Sequence, residues 1–93
     1  MIKSFRDKEA EEVYQRIYSR RLPRGIQAVA LRKLRMLNNA MTIHDLRSLP
    51  GNRLEKLKGD RKGQYSIRIK DQWRICFEWL DGDAHEVEIT DYH

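Results

Sequence analysis

Three runs in the second half of the chain alternate apolar and polar side chains: Tyr65-Ser66-Ile67-Arg68-Ile69-Lys70, Trp73-Arg74-Ile75-Cys76-Phe77-Glu78-Trp79 and Glu86-Val87-Glu88-Ile89-Thr90. A β-strand sends successive side chains to opposite faces, so a period of two predicts strands with one apolar and one polar face. Strands half-buried in this way suit an antiparallel sheet covered on one side only. Asp81-Gly82-Asp83 between the last two runs is a hairpin signal. A two-residue Asp-Gly loop would set Phe77 against Glu86 and mix the faces. A three-residue loop opposes Phe77 with Val87, Ile75 with Ile89 and Arg74 with Thr90, and that register is expected. It places Arg74, with Arg68 and Lys70, on the polar, uncovered face near Tyr92. It also sets Glu78 against Glu86, an unfavourable like-charge pair.

Upstream of Leu54 the period is helical. Ile2 to Phe5 reads as a short first strand with Ile2 and Ser4 on one face, and Asp7 reads as an N-cap. Ala10, Val13, Tyr14, Ile17 and Tyr18 then fall at helical spacing. Pro23 and Gly25 mark a break before a second stripe of Ile26, Val29, Ala30, Leu34, Leu37 and Met41. A further turn or two is expected over 42–49, closed by Pro50-Gly51. Helices on the apolar face of an antiparallel sheet make an α+β two-layer domain, and 93 residues suit a single domain over 1–93.

Hydrophobic residues at 40% and charged residues at 35% suit a folded chain with a heavily charged surface. No apolar run has the length of a membrane helix, and residues 1–6 lack the apolar region of a secretory leader. With one cysteine, Cys76, no intrachain disulfide is expected, and the cytoplasm is the expected compartment. The net charge of +5 is unevenly spread: residues 53–74 carry 8 basic and 3 acidic side chains, and residues 75–93 carry 6 acidic and no Lys or Arg. A dense basic segment is the footprint of a polyanion-binding face, with Arg53, Arg61, Lys62, Arg68 and Lys70 as its candidate RNA contacts. His44, His85, His93 and Cys76 have no ligand spacing, so neither a metal site nor another cofactor is expected.

The chemistry-bearing pattern is basic side chains interleaved with aromatic ones, closing in Asp91-Tyr92-His93. Cleaving RNA without a metal needs a base for the 2′-hydroxyl, a cation for the phosphorane and an acid for the 5′-oxygen. Arg offers a bidentate fork to phosphate and His titrates near neutral pH. Each residue also has a plainer reading. A closing Tyr-His can be a frayed tail, Arg74 can pair across strands with Glu88, and Lys58, Arg61 and Lys62 can be solvated charges in a Gly-rich loop. Trp73 and Trp79 can be core residues.

The chain resembles, end to end, the HigB-type (plasmid-maintenance killer) toxins of the RelE/ParE superfamily. The likeness rests on Met1-Ile2-Lys3-Ser4-Phe5, Leu57-Lys58-Gly59-Asp60-Arg61, Gly63-Gln64-Tyr65-Ser66-Ile67-Arg68, Gln72-Trp73-Arg74-Ile75 and Asp91-Tyr92-His93. Gly51-Asn52-Arg53-Leu54-Glu55 is similar to the subset that includes GraT. The resemblance implies a microbial-RNase-like (RelE-like) fold and a type II toxin that cleaves mRNA in the ribosomal A site, with 16S rRNA contacts. It also implies a HigA-like helix-turn-helix antitoxin, usually encoded just downstream. By position, Arg74 would stabilise the scissile phosphate, Asp91, Tyr92 and His93 would form the acid-base end, and Lys58 would assist with charge. One position departs: some members have histidine about where Glu55 stands. Glu55 could act as a base, but it replaces an imidazole acid only with a strongly raised pKa. The ParE side of the superfamily offers a second function, gyrase inhibition without RNA cleavage, and a basic RNA- or ribosome-binding protein is a third.

Overall fold

The computed structural model describes residues 1–92. Three helices, α1 (Lys8–Tyr14), α2 (Arg24–Asn39) and α3 (Ile43–Arg47), precede four strands, β1 (Glu55–Lys56), β2 (Gln64–Lys70), β3 (Trp73–Leu80) and β4 (Asp83–Asp91). The strands form one antiparallel sheet in the order β1-β2-β3-β4. Leu34, Leu37 and Leu46 from the helices meet Ile67, Ile75, Phe77 and Val87 from the sheet, all fully buried. This is the expected α+β two-layer arrangement. No helix among the described residues is long and apolar enough to cross a membrane.

Asp7 caps α1 through its Oδ1, which accepts from the Ala10 N–H at 2.8 Å. The helix stops at Tyr14, sooner than the apolar stripe suggests, because Arg16 turns left-handed at φ 65°. Ile17 and Tyr18 therefore lie outside it and are about half exposed. Likewise α2 ends at Asn39, and Met41, expected in its stripe, is exposed beyond it. A reciprocal Thr42–Asp45 capping box starts α3.

The β3–β4 register holds Ile75 opposite Ile89 and Arg74 opposite Thr90, as expected, but the loop length differs. Leu80 pairs with Asp83 across a two-residue Asp81-Gly82 turn, with φ of 52° and 79°. Two left-handed residues are what the tight primed hairpin turn requires. A bulge on β4 restores the faces: the pairing steps from Cys76–Glu88 to Glu78–His85, and Glu86 takes φ 53°. Glu78 thus opposes His85, and the feared Glu78–Glu86 pairing does not form. A second irregularity between Arg68 and Lys70 leaves Ile69 unpaired and buried.

The N-terminal segment is two isolated parallel bridges, Ile2–Ala84 and Phe5–Val87, instead of a continuous strand. Between them the Ser4 Oγ accepts from the Glu86 N–H at 2.9 Å, spanning the bulge. Ile2 and Phe5 are the residues packed on the core; Ser4, expected to share a face with Ile2, has this different task.

Candidate active site

Cross-strand partners project to the same face, so the pairing fixes the site's layout. Glu55, Ser66, Cys76 and Glu88 form one row across the four strands, and Arg68, Arg74 and Thr90 form the next. Both rows lie on the face turned away from the helices. That face is not uncovered as expected, because Ser66 and Cys76 are fully buried and Arg74 is 8% exposed. The cover comes from the chain just before β1, from Arg61 and from Tyr92.

Arg74 is held by neutral oxygens. Its Nε donates to Ser66 Oγ at 2.7 Å, and its Nη2 donates to the Arg53 carbonyl at 2.5 Å and the Ser66 carbonyl at 3.1 Å. Arg53 presents that carbonyl from a left-handed conformation, φ 43°. Among the described residues, the carboxylate paired with Arg74 is that of Glu55, with Oε1 3.9 Å from Nη1. The alternative Arg74–Glu88 pair does not form. Glu88 instead accepts from Arg61 Nη2 at 3.1 Å and Thr90 Oγ1 at 3.0 Å, with Arg6 Nε 3.3 Å away. Hydrogen bonding to Glu88 is the main cause that raises the Arg61 pKa, so this guanidinium also keeps its charge.

Tyr92 is tied down rather than frayed: its backbone N–H donates to the Gln72 carbonyl at 2.7 Å. Its hydroxyl lies 3.7 Å from Cys76 Sγ. Burial, then the Cys76 thiol, pushes the phenol above its usual range, while Arg61 and Arg74 pull it down. The hydroxyl is therefore a neutral donor at physiological pH beside two cations. Asp91 ends β4 opposite Trp73 with its side chain exposed. His93 lies outside the described residues.

The structure brings together Arg74, Glu55, Arg61 and Tyr92. Arg68 stands opposite Arg74, half-buried, and Arg53 is exposed apart from its carbonyl contact. Lys70 is exposed at the β2–β3 turn. Lys58 and Lys62 are exposed on the loop before β2, where with Lys56, Leu57 and Gly59 they line a depression of about 260 Å³. A separate, mostly apolar depression of about 440 Å³ is built from α1, α2 and their connection, and no sheet residue enters it. Among the described residues, no group of three or more His, Cys, Asp or Glu side chains could hold a metal ion. Sequence reasoning missed Ser66 as the anchor of Arg74 and Glu88 as the anchor of Arg61. Their even spacing from Arg68 and Thr90 was the available signal.

The arrangement offers a buried fixed cation, a second cation, a neutral hydroxyl donor and a carboxylate, all suited to a phosphodiester. Comparison with known proteins agrees. The profile of a family described as "RelE-like toxin of type II toxin-antitoxin system HigB" matches residues 3–93. Toxin HigB-1 of Vibrio cholerae serotype O1 is 44% identical over 85 residues, covering 90% of each chain. Endoribonuclease HigB of Proteus vulgaris is 32% identical over the whole of both chains. Among solved structures, the YoeB-YefM toxin-antitoxin complex of Staphylococcus aureus includes a chain matched with a TM-score of 0.59 at 21% identity, covering 100% of this chain and 98% of that one. At that identity the structural likeness is one of fold. The sequence match is of a different order, and it places this chain in the HigB-like family, the RelE-like toxins of type II toxin-antitoxin systems.

Proposed function

We propose that this chain, as a single toxin domain over 1–93, is a ribosome-dependent endoribonuclease that stops translation by cleaving mRNA in the A site. Family membership and a relative named an endoribonuclease over its full length support the activity. The observation that carries it is Arg74: a guanidinium buried against neutral oxygens, with Tyr92 and Glu55 at its sides. A buried cation held mainly by neutral oxygens is stabilised by an arriving anion, and a phosphorane carries more negative charge than the phosphodiester before it.

In this reading Glu55 takes the 2′-hydroxyl proton, and the 2′-oxygen attacks phosphorus. The P–O5′ bond breaks, leaving a 2′,3′-cyclic phosphate and a free 5′-hydroxyl. Arg74 and Arg61 stabilise the developing charge, and Tyr92 donates to it. Asp91 and His93 complete the acid-base end that returns a proton to the 5′-oxygen, and Lys58 adds charge. Arg53, Lys62, Arg68 and Lys70 contact backbone phosphates of mRNA or 16S rRNA. Side chains fill every role, so chelators should leave the rate unchanged. The partners are the ribosome with its mRNA and a HigA-like helix-turn-helix antitoxin, in the cytoplasm.

Expression with and without the neighbouring antitoxin gene, with mRNA ends mapped during growth arrest, tests this. Cuts in translated frames are expected, and a 2′-deoxyribose at the scissile position should block them. Relaxed plasmid with intact mRNA would replace the reading with the gyrase-inhibitor one.

A further inference from the structure

Two buried polar side chains belong neither to the apolar core nor to the reacting cluster. Lys33 on α2 is 6% exposed, and Asn52, just before Arg53, is fully buried. Lys33 Nζ donates to Asn52 Oδ1 at 2.5 Å. The Asn52 amide nitrogen donates to the Leu46 carbonyl at 3.0 Å and to Met36 Sδ at 3.2 Å. Taking an ammonium out of water is costly, and burial is the main cause that lowers the Lys33 pKa, with Arg32 and Arg68 adding to it. Apolar residues of similar volume often do as well or better for stability than a buried charged group. Stability alone therefore gives no reason for a lysine here.

The neighbour of Asn52 in the chain supplies one. Arg53 holds φ 43°, a left-handed conformation that an L-residue adopts at a cost. Backbone held this way persists only when its surroundings over-determine it. On one side Asn52 is clamped to α2 and α3; on the other, the Arg53 carbonyl meets Arg74 Nη2. A continuous line of contacts thus runs from Lys33 in the helical layer through Asn52 and Arg53 to Arg74 on the opposite face of the sheet.

We propose that Lys33 and Asn52 are positioning residues for Arg74. They fix the Arg53 carbonyl, and the carbonyl, together with Ser66, fixes the guanidinium plane so that Nη1 stays turned toward Glu55 and the phosphate. The inference rests on Arg74 being the phosphate-stabilising group of the proposed reaction. Neither residue touches RNA, so binding and chemistry should separate: substrate affinity is kept and the cleavage step slows.

The test is single-turnover cleavage of ribosome-bound mRNA by Lys33→Met, Asn52→Ala and Asn52→Asp, each alone and combined with Arg74→Ala. Lys33→Met and Asn52→Ala should slow cleavage about tenfold, equivalent to about 1.4 kcal/mol, with affinity for a 2′-deoxy substrate unchanged. Asn52→Asp keeps the acceptor for Lys33 Nζ but loses the donor to the Leu46 carbonyl, so it should recover part of the rate relative to Asn52→Ala. In the Arg74→Ala background each substitution should cost less than about twofold, because residues acting through one group are non-additive. Equal losses in both backgrounds, or losses that track a fall in Tm, overturn the proposal. A second readout needs no cleavage: the Arg74 Nε–H NMR signal should shift and exchange faster in Lys33→Met. If the native protein cuts no RNA, the functional reading fails while this signal still decides the positioning claim; an unchanged signal refutes it.

Discussion

Glu55 and Arg74 face each other from β1 and β3, the strands on either side of β2, with Glu55 Oε1 3.9 Å from Arg74 Nη1 across the Ser66 position. The pair is lopsided: the Glu55 side chain is 57% exposed and that of Arg74 only 9%. The carboxylate can swing into water or onto a ribose hydroxyl, whereas the guanidinium stays where the sheet holds it.

Glu55→Gln should therefore lower the single-turnover rate by about a hundred- to ten-thousandfold, the usual worth of a general base. Its stability should stay within about 1 kcal/mol of the native protein, since an exposed ion pair contributes little. Glu55→His should restore cleavage, with an acidic limb near pH about 6.5. Native-rate cleavage by Glu55→Gln would remove Glu55 from the mechanism.

Arg74→Lys is the sharper test of the cation. An ammonium keeps the charge but cannot reproduce the planar fork that reaches Ser66 Oγ, the Ser66 carbonyl and the Arg53 carbonyl together. Cleavage should fall about a hundred- to a thousandfold. Denaturant unfolding should show a loss of about 1–3 kcal/mol from acceptors left unsatisfied.

Burial raises the Tyr92 pKa, so an alkaline absorbance titration should show a phase above the ordinary tyrosine range, and Tyr92→Phe should remove that phase. A group whose folded pKa is raised contributes stability below its unfolded value, here about 10, and loses it as pH climbs through the folded value. The native protein should thus lose Tm more steeply than Tyr92→Phe above pH about 10. Parallel curves would mean that the hydroxyl is solvated.

Lys33 titrates in the opposite sense. Its folded pKa is lowered, so its contribution to stability is present above the unfolded value of about 10.4 and is lost as pH falls through the folded one. The native protein should gain on Lys33→Met in urea unfolding as pH is raised from about 7 to about 10. A constant gap would show that the ammonium pays no burial cost.

The period-two runs carried the sheet's faces and the Arg74–Thr90 and Ile75–Ile89 pairings, because side-chain alternation is a local property. The hairpin was half legible. Asp81-Gly82 announces its own two-residue turn, but the Glu86 bulge that reconciles this turn with the faces is supported by Ser4, 82 positions away. Nothing in residues 74–90 alone reports that contact. The cover over Arg74 was illegible for a similar reason: left-handed backbone at a non-glycine residue such as Arg53 leaves no mark in composition. Lys33 reads as a solvent-facing lysine until the turn over Pro50–Asn52 is seen to fold over it. The closing Tyr92 is ordered by a backbone bond to Gln72, invisible to any side-chain pattern.

The outer border of β4 has a use beyond holding the N-terminal segment. Ala84, Glu86, Val87 and Ile89 all direct their N–H groups outward, and Met1, Ser4 and Asp7 accept every one of them. At the opposite border β1 is two residues long and carries Glu55 and Lys56. At the β4 margin the outward N–H groups are thus taken by the chain's own N-terminal segment, which guards that edge against the addition of a strand from another copy. A partner adding a strand beside β4 would first have to peel away residues 1–7.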